Sequence, residues 1–135
     1  MSVVKFAGIM MLLLPASAQA EWFKIGTSVH QADYFMDPAR IKTVNGKRQA
    51  WAKVDHSRDR TVSYRESMRL FTFDCDKQTY KILYYSNTDS YGKIIDSHSF
   101  TDSSYGFGYD PIVPESMAET VGKVACFKAS EGTGS

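Results

Sequence analysis

The stretch Ile41-Lys42-Thr43-Val44-Asn45-Gly46-Lys47-Arg48-Gln49-Ala50-Trp51-Ala52-Lys53-Val54 reads as a β-hairpin. Asn45-Gly46 supplies the two positive φ angles of a type I′ turn, whose twist matches that of paired strands. Ile41–Val44 and Arg48–Val54 flank it as the two arms. On the second arm Ala50, Ala52 and Val54 fall on one face, and Trp51 and Lys53 on the other, because side chains alternate along a strand.

The same period extends outward in both directions. Glu21–Thr27 alternates apolar and polar residues behind Trp22 and predicts a first strand. His30–Asp37, with Tyr34, Phe35 and Met36, is extended until Asp37-Pro38 turns the chain. Asp55–Arg60 is polar and reads as a loop. Val62–Cys75 is the next strand, with Phe71, Phe73 and Cys75 on one face. After a turn at Asp74–Lys77, Thr79–Ser86 pairs back and Lys93–Phe100 follows as the last strand. Ser116-x-x-Glu119 is a capping box opening a helix, and Pro111 and Pro114 block any earlier start. Met117, Val121, Val124 and Ala125 recur every three or four residues as an apolar stripe. Gly122 weakens that helix by about 1 kcal/mol relative to Ala.

The N-terminal 20 residues predict a secretory signal: Lys5, an apolar run from Phe6 to Leu14, Pro15, then Ala18-x-Ala20. Cleavage after Ala20 leaves residues 21–135 as one domain of 115 residues. It also removes one of 16 bases and none of the 15 acids, so the mature chain is neutral. A chain of that size holds one core. Its aromatic and aliphatic content excludes disorder. No second apolar run is long enough for a membrane span. Uniform basic character, the mark of many nucleic-acid binders, is absent. No Cys closes the signal, so no lipid anchor is expected, and the location is periplasmic or secreted, with surface display left open.

Cys75 and Cys126 are the only cysteines. In an oxidising compartment they are expected to pair. The bridge would close a loop of roughly 52 residues, contribute about 4 kcal/mol, and pin the helix to the sheet.

Together these residues resemble the bacterial surface-adhesin protein E family. The similarity is carried by Trp22, by Tyr34-Phe35-Met36-Asp37 before Pro38-Ala39-Arg40-Ile41, and by Asn45-Gly46 before Trp51. It continues through Leu70 to Asp74-Cys75, Pro114-Glu115-Ser116 and Val124-Ala125-Cys126. The resemblance implies an α+β fold: a twisted antiparallel sheet of about six strands, with a C-terminal helix tethered to one face by a disulfide. It also implies a non-enzymatic binding protein whose partners are extracellular-matrix or plasma proteins such as laminin, vitronectin and plasminogen.

Catalytic and metal motifs are not seen. His30, His56 and His98 lie in separate segments, and no phosphate loop, nucleophile elbow or His-Glu-x-x-His occurs. No cofactor or metal is therefore expected. Two features point to binding. Arg40–Arg69 holds nine bases against three acids, while residues 70–121 hold three bases against eight acids. A basic side so formed would meet an anionic glycan, lipopolysaccharide phosphate or an acidic protein, with Lys47, Arg48, Arg58 and Arg60 as candidates. The competing reading is that folding interleaves the two segments and their charges pair. The second feature is Ser97–Asp110, rich in Ser, Gly, Asp and aromatics like an antibody contact loop, with Tyr105, Phe107 and Tyr109 as candidates. The competing reading packs those rings under the helix. A homodimer through an unpaired sheet edge is a further expectation. The alternative functions are a periplasmic inhibitor or accessory module and a small-ligand binder using the sheet's concave face.

Overall fold

The computed structural model describes residues 19–100 and 109–132, and the side chains among them through Phe127. The strands are β1 (Phe23–Thr27), β2 (Asp33–Met36), β3 (Lys42–Val44), β4 (Lys47–Asp55), β5 (Glu66–Asp74), β6 (Thr79–Thr88), β7 (Ile94–Ser99) and β8 (Asp110–Pro111). A single helix, α1 (Met117–Gly132), follows. All pairings are antiparallel. The main path runs β1-β2-β4-β5-β6-β7, with β3 beside β4 and β8 beside β6. The six-strand expectation matches that path.

The hairpin forms as its sequence demands. Asn45 (φ 50°) and Gly46 (φ 75°) both take positive φ, and Lys42–Val44 pairs Gln49–Lys47 across them. Asp37 stops β2: its carboxylate accepts from the Ala39 N–H at 3.0 Å, capping a 3-10 turn at Pro38–Arg40. Burial along β4 alternates as read, with Ala50, Ala52 and Val54 closed to solvent.

Register carries this face across the sheet. Ala50 pairs Phe71 and Arg48 pairs Phe73, and Met36 pairs Ala52. Met36, Ala50, Ala52, Phe71 and Phe73 form the core with Ala118, Val121 and Ala125 of α1. The buried stripe of the helix therefore centres on Ala118, Val121 and Ala125, while Met117 and Val124 pack at its margin. The Cys75–Cys126 bridge joins the end of β5 to α1 across 51 positions, so the helix is tethered to one face of the sheet as expected.

Three local expectations are corrected. Lys93–Phe100 is not the last strand, because Asp110–Pro111 returns to pair Tyr80–Thr79. A two-residue strand is too short to show a period, and Pro111 sits at an edge, where a missing donor is tolerated. Second, β5 begins at Glu66, since Val62–Arg65 belongs to the preceding loop. Third, the capping box is displaced by one residue. Ser116 Oγ accepts from the Glu119 N–H at 3.2 Å, but the Glu119 carboxylate reaches the Glu115 N–H. The Ser116 N–H is already bonded to the Val113 carbonyl.

Candidate functional site

With α1 on one face, no element of the described residues covers the other face of the sheet. Register places Trp51, Leu70 and Tyr84 in one row across β4, β5 and β6. Phe35, Lys53, Met68 and Ser86 form the next row. Trp51 meets Tyr84 edge to face, with ring centroids 5.5 Å apart. Lys53 Nζ lies 5.0 Å from the Trp22 ring and 5.3 Å from the Phe35 ring. Such contacts hold an ammonium in place while leaving it charged. Trp51 borders two open grooves. One, of about 360 Å³, is lined by Arg40, Ile41, Lys42, Gln49 and Leu70. The other, of about 680 Å³, runs past Arg65, Glu66, Met68 and Tyr84 to Ile94. Trp51 and Lys53 therefore lie on the face opposite the core.

The charged candidates are not gathered into one place. Lys47 and Arg48 open β4, whereas Arg58 and Arg60 lie beyond its far end. Nine extended residues separate those ends by about 26 Å at roughly 3.3 Å per residue. Lys47 Nζ bonds the Asp74 carboxylate at 2.8 Å, which raises the lysine pKa and lowers the aspartate's. Arg48 Nε donates to the Ala125 carbonyl at 3.3 Å and Nη1 to Thr43 Oγ1 at 2.6 Å, so it fastens the helix to the hairpin. Arg58 is held by both carboxylate oxygens of Asp33 at 2.9 and 3.0 Å. Arg60 is exposed. Tyr109 lies with Lys47 Nζ and Lys81 Nζ each 5.6 Å from its ring centre. Tyr105 and Phe107 lie outside the described residues.

Asp33 is the electrostatic centre of the far end. Its pKa is lowered to about 2, first by the Thr27 hydroxyl and then by Lys24 and Arg58 against a desolvation cost. A depressed carboxyl contributes stability above its unfolded pKa of about 3.9, and that contribution is lost as pH falls through the folded value. The Asp33 carboxyl should titrate with a midpoint near 2 by carbon NMR. Thr27→Val should raise that midpoint more than Lys24→Met. A midpoint near 4 in the native protein would refute the arrangement.

A Ser-His-Asp constellation, unseen in the sequence, occupies the side of the sheet that α1 covers. His56 Nε2 is 2.9 Å from Ser67 Oγ, and Nδ1 is 3.4 Å from Asp59 Oδ2. All three residues are buried. Its polarity excludes a serine nucleophile of the usual kind. Asn87 Nδ2 donates to Asp96 at 2.8 Å, which turns Asn87 Oδ1 toward Ser67, and the Ser67 hydroxyl donates to it at 2.7 Å. Ser67 Oγ must then accept from His56 Nε2–H. The imidazole has no free lone pair for the serine proton, so it cannot act as the base that a triad requires. The chain of bonds ties the loop of residues 56–65 to β5, β6 and β7. Thr61 completes it by donating its N–H and hydroxyl to Asp59, whose pKa is lowered chiefly by that hydroxyl.

Among the described residues no group of three or more His, Cys, Asp or Glu side chains could hold a metal ion. None of the described helices is long and apolar enough to cross a membrane.

The described residues form a disulfide-clamped α+β domain with α1 packed on one face of its sheet. No curated protein and no solved structure matches the chain. A model of the family described as surface-adhesin protein E matches residues 22–127. The chain belongs to that family, and membership is consistent with a non-enzymatic adhesin or binding protein.

Proposed function

We propose that the chain is exported and binds an extracellular-matrix or plasma protein, or an anionic glycan, on the open face of its sheet. The observation that carries this reading is the Trp51–Leu70–Tyr84 row, half-buried on the face that none of the described elements covers and bordered by Lys53 and Lys42. Flat rings supply contact area at small entropic cost. Neighbouring cations supply attraction for sulfates or carboxylates. The Cys75–Cys126 bridge supports an oxidising compartment.

Heparin retention and capture on immobilised matrix and plasma proteins test the reading together. Trp51→Ala and Lys42→Ala should each weaken binding about tenfold or more, as removal of a central anchor or a charge contact does. Arg58→Ala with Arg60→Ala should have the smaller effect, because Arg58 is engaged by Asp33. Wild-type elution at very low salt with no capture on any matrix or plasma protein would defeat the proposal. So would retention insensitive to Trp51.

A further inference from the structure

We propose that a cleft beside α1, on the helix-bearing side of the sheet, binds one carboxylate-bearing sugar residue, a hexuronate. α1 lies over β4, with β1 and β5 alongside, and the sheet continues past it through β6 and β7. There Tyr64, Arg69, Ile82, Tyr85, Asn87 and Asp96 line a cleft of about 480 Å³, a volume typical of small-ligand sites. Arg69 pairs Ala52 and Tyr85, so it shares the side of Ala52 and the core. The cleft has no residue in common with the Trp51 row on the other side. Arg69 supplies the charge. It is half-buried, and among the described residues its one hydrogen bond goes to Met117 Sδ at 3.6 Å. A thioether is a weak acceptor, so this contact steers the guanidinium without neutralising it. Lys24, Lys47, Arg58 and Lys123 each meet a carboxylate, but no described carboxylate meets Arg69. Its planar fork matches the two oxygens of a ligand carboxylate.

The far wall supplies partners for hydroxyls. Asn87 Nδ2 gives one proton to Asp96 Oδ1 at 2.8 Å, which leaves a second amide proton beside the other aspartate oxygen. A donor next to an acceptor suits vicinal hydroxyls. Asp96 also repels a ligand carboxylate, so the acid end must lie on Arg69. Between the two walls stands Tyr85, which pairs Arg69 on one side and His98 on the other. His98 lies 5.0 Å and Phe100 6.2 Å from its ring centre, so that side is occupied and the side toward Arg69 faces the cleft. The electron-rich face of such a ring packs against the C–H groups of a sugar. β5 and β7 are two strand spacings, about 10 Å, apart, which leaves the width of one six-membered ring between hydrogen-bonding groups. A bare sulfate would use Arg69 alone, and an apolar acid would leave Asn87 and Asp96 idle. An acidic sugar uses all of them. The buried polar network then has a purpose. It runs from Asp59 through His56 and Ser67 to Asn87, and His56 also meets the Tyr64 ring edge to face at 4.8 Å. Both walls are thus fixed before a ligand arrives, which lowers the cost of binding.

Titration of the oxidised chain with methyl glucuronide, followed by NMR, tests the proposal. Shifts should centre on Arg69 Nε and the Tyr85 ring and saturate with a Kd of about 1 mM, the range for a ligand of this size. Methyl glucoside, the same ring without the acid, should bind about tenfold more weakly or worse, and so should inorganic sulfate. Arg69→Met should weaken glucuronide binding by a similar factor with circular dichroism unchanged. If that variant does not fold, the comparison of the three ligands on the wild type decides. Trp51→Ala should leave glucuronide binding as it is, so failure of the matrix and plasma-protein reading and failure of this one are told apart. No saturable shift at ten times the expected Kd overturns the proposal. So does glucoside or sulfate binding as tightly as glucuronide, binding that survives Arg69→Met, or binding lost in Trp51→Ala.

Discussion

Opening the Cys75–Cys126 bridge, by reduction or by Cys75→Ser with Cys126→Ser, should cost about 4 kcal/mol. The figure follows from the loop it closes, a separation of 51 residues, and is a large share of the ~5–15 kcal/mol typical of a domain. The packing of α1 explains why the clamp matters. Its most buried contacts are Ala118, Val121 and Ala125, with Gly122 between them, so the helix removes few large side chains from water. A fully buried Val contributes about 1.5–3 kcal/mol and an Ala much less. Arg48 adds one bond to the helix through the Ala125 carbonyl. Reduction should therefore release the helix before the sheet. Hydrogen exchange at Met117–Cys126 should rise under reductant, while amides of β4 and β5 change less. Equal exchange in both states would show that apolar packing alone holds the helix.

Much of this frame is legible in the sequence because it is local. Asn45-Gly46 specifies its turn by φ, and the alternation in Arg48–Val54 sorts the strand into two faces without knowledge of any neighbour. The pairing of Cys75 and Cys126 needs only their count. What escapes the sequence is the outcome of long-range placement. Nine bases in Arg40–Arg69 read as a basic side, yet Lys47 finds Asp74 and Arg58 finds Asp33, partners 27 and 25 residues away. The buried network from Asp59 through His56, Ser67 and Asn87 to Asp96 crosses four elements of the chain. Taken singly, these are ordinary polar residues of a loop and three strands. His56 and Asp59, three apart in a charged stretch, look solvated until the strands on either side close over them. The open face is a middle case. Trp51 and Lys53 were separable from Ala50, Ala52 and Val54 by parity, but Leu70 and Tyr84 join Trp51 only through register.

Gly122 shows most clearly how a tertiary contact changes a local reading. By propensity it is a weak point, and Gly122→Ala should stabilise the helix by about 1 kcal/mol. In the fold, a Cβ at this position would stand 3.0 Å from Phe73 Cε1 and 3.5 Å from Ile112 Cδ1. Phe73 is fully buried and stacked on Phe71, with centroids 5.5 Å apart, so its ring has nowhere to retreat. Overpacking of this kind costs about 1–3 kcal/mol and outweighs the propensity gain. Gly122→Ala is therefore expected to lower stability, and Phe73→Ala should lower it by about 3–5 kcal/mol by leaving a cavity beneath the helix. The two changes are coupled through one contact. In the Phe73→Ala background the added methyl keeps only the ordinary contact with Ile112, so Gly122→Ala should become stabilising. A double-mutant cycle by urea unfolding reads the change of sign directly. If Gly122→Ala stabilises both backgrounds equally, the glycine is a tolerated weakness. If the sign reverses, Gly122 is the residue that lets α1 sit close enough for Cys126 to reach Cys75.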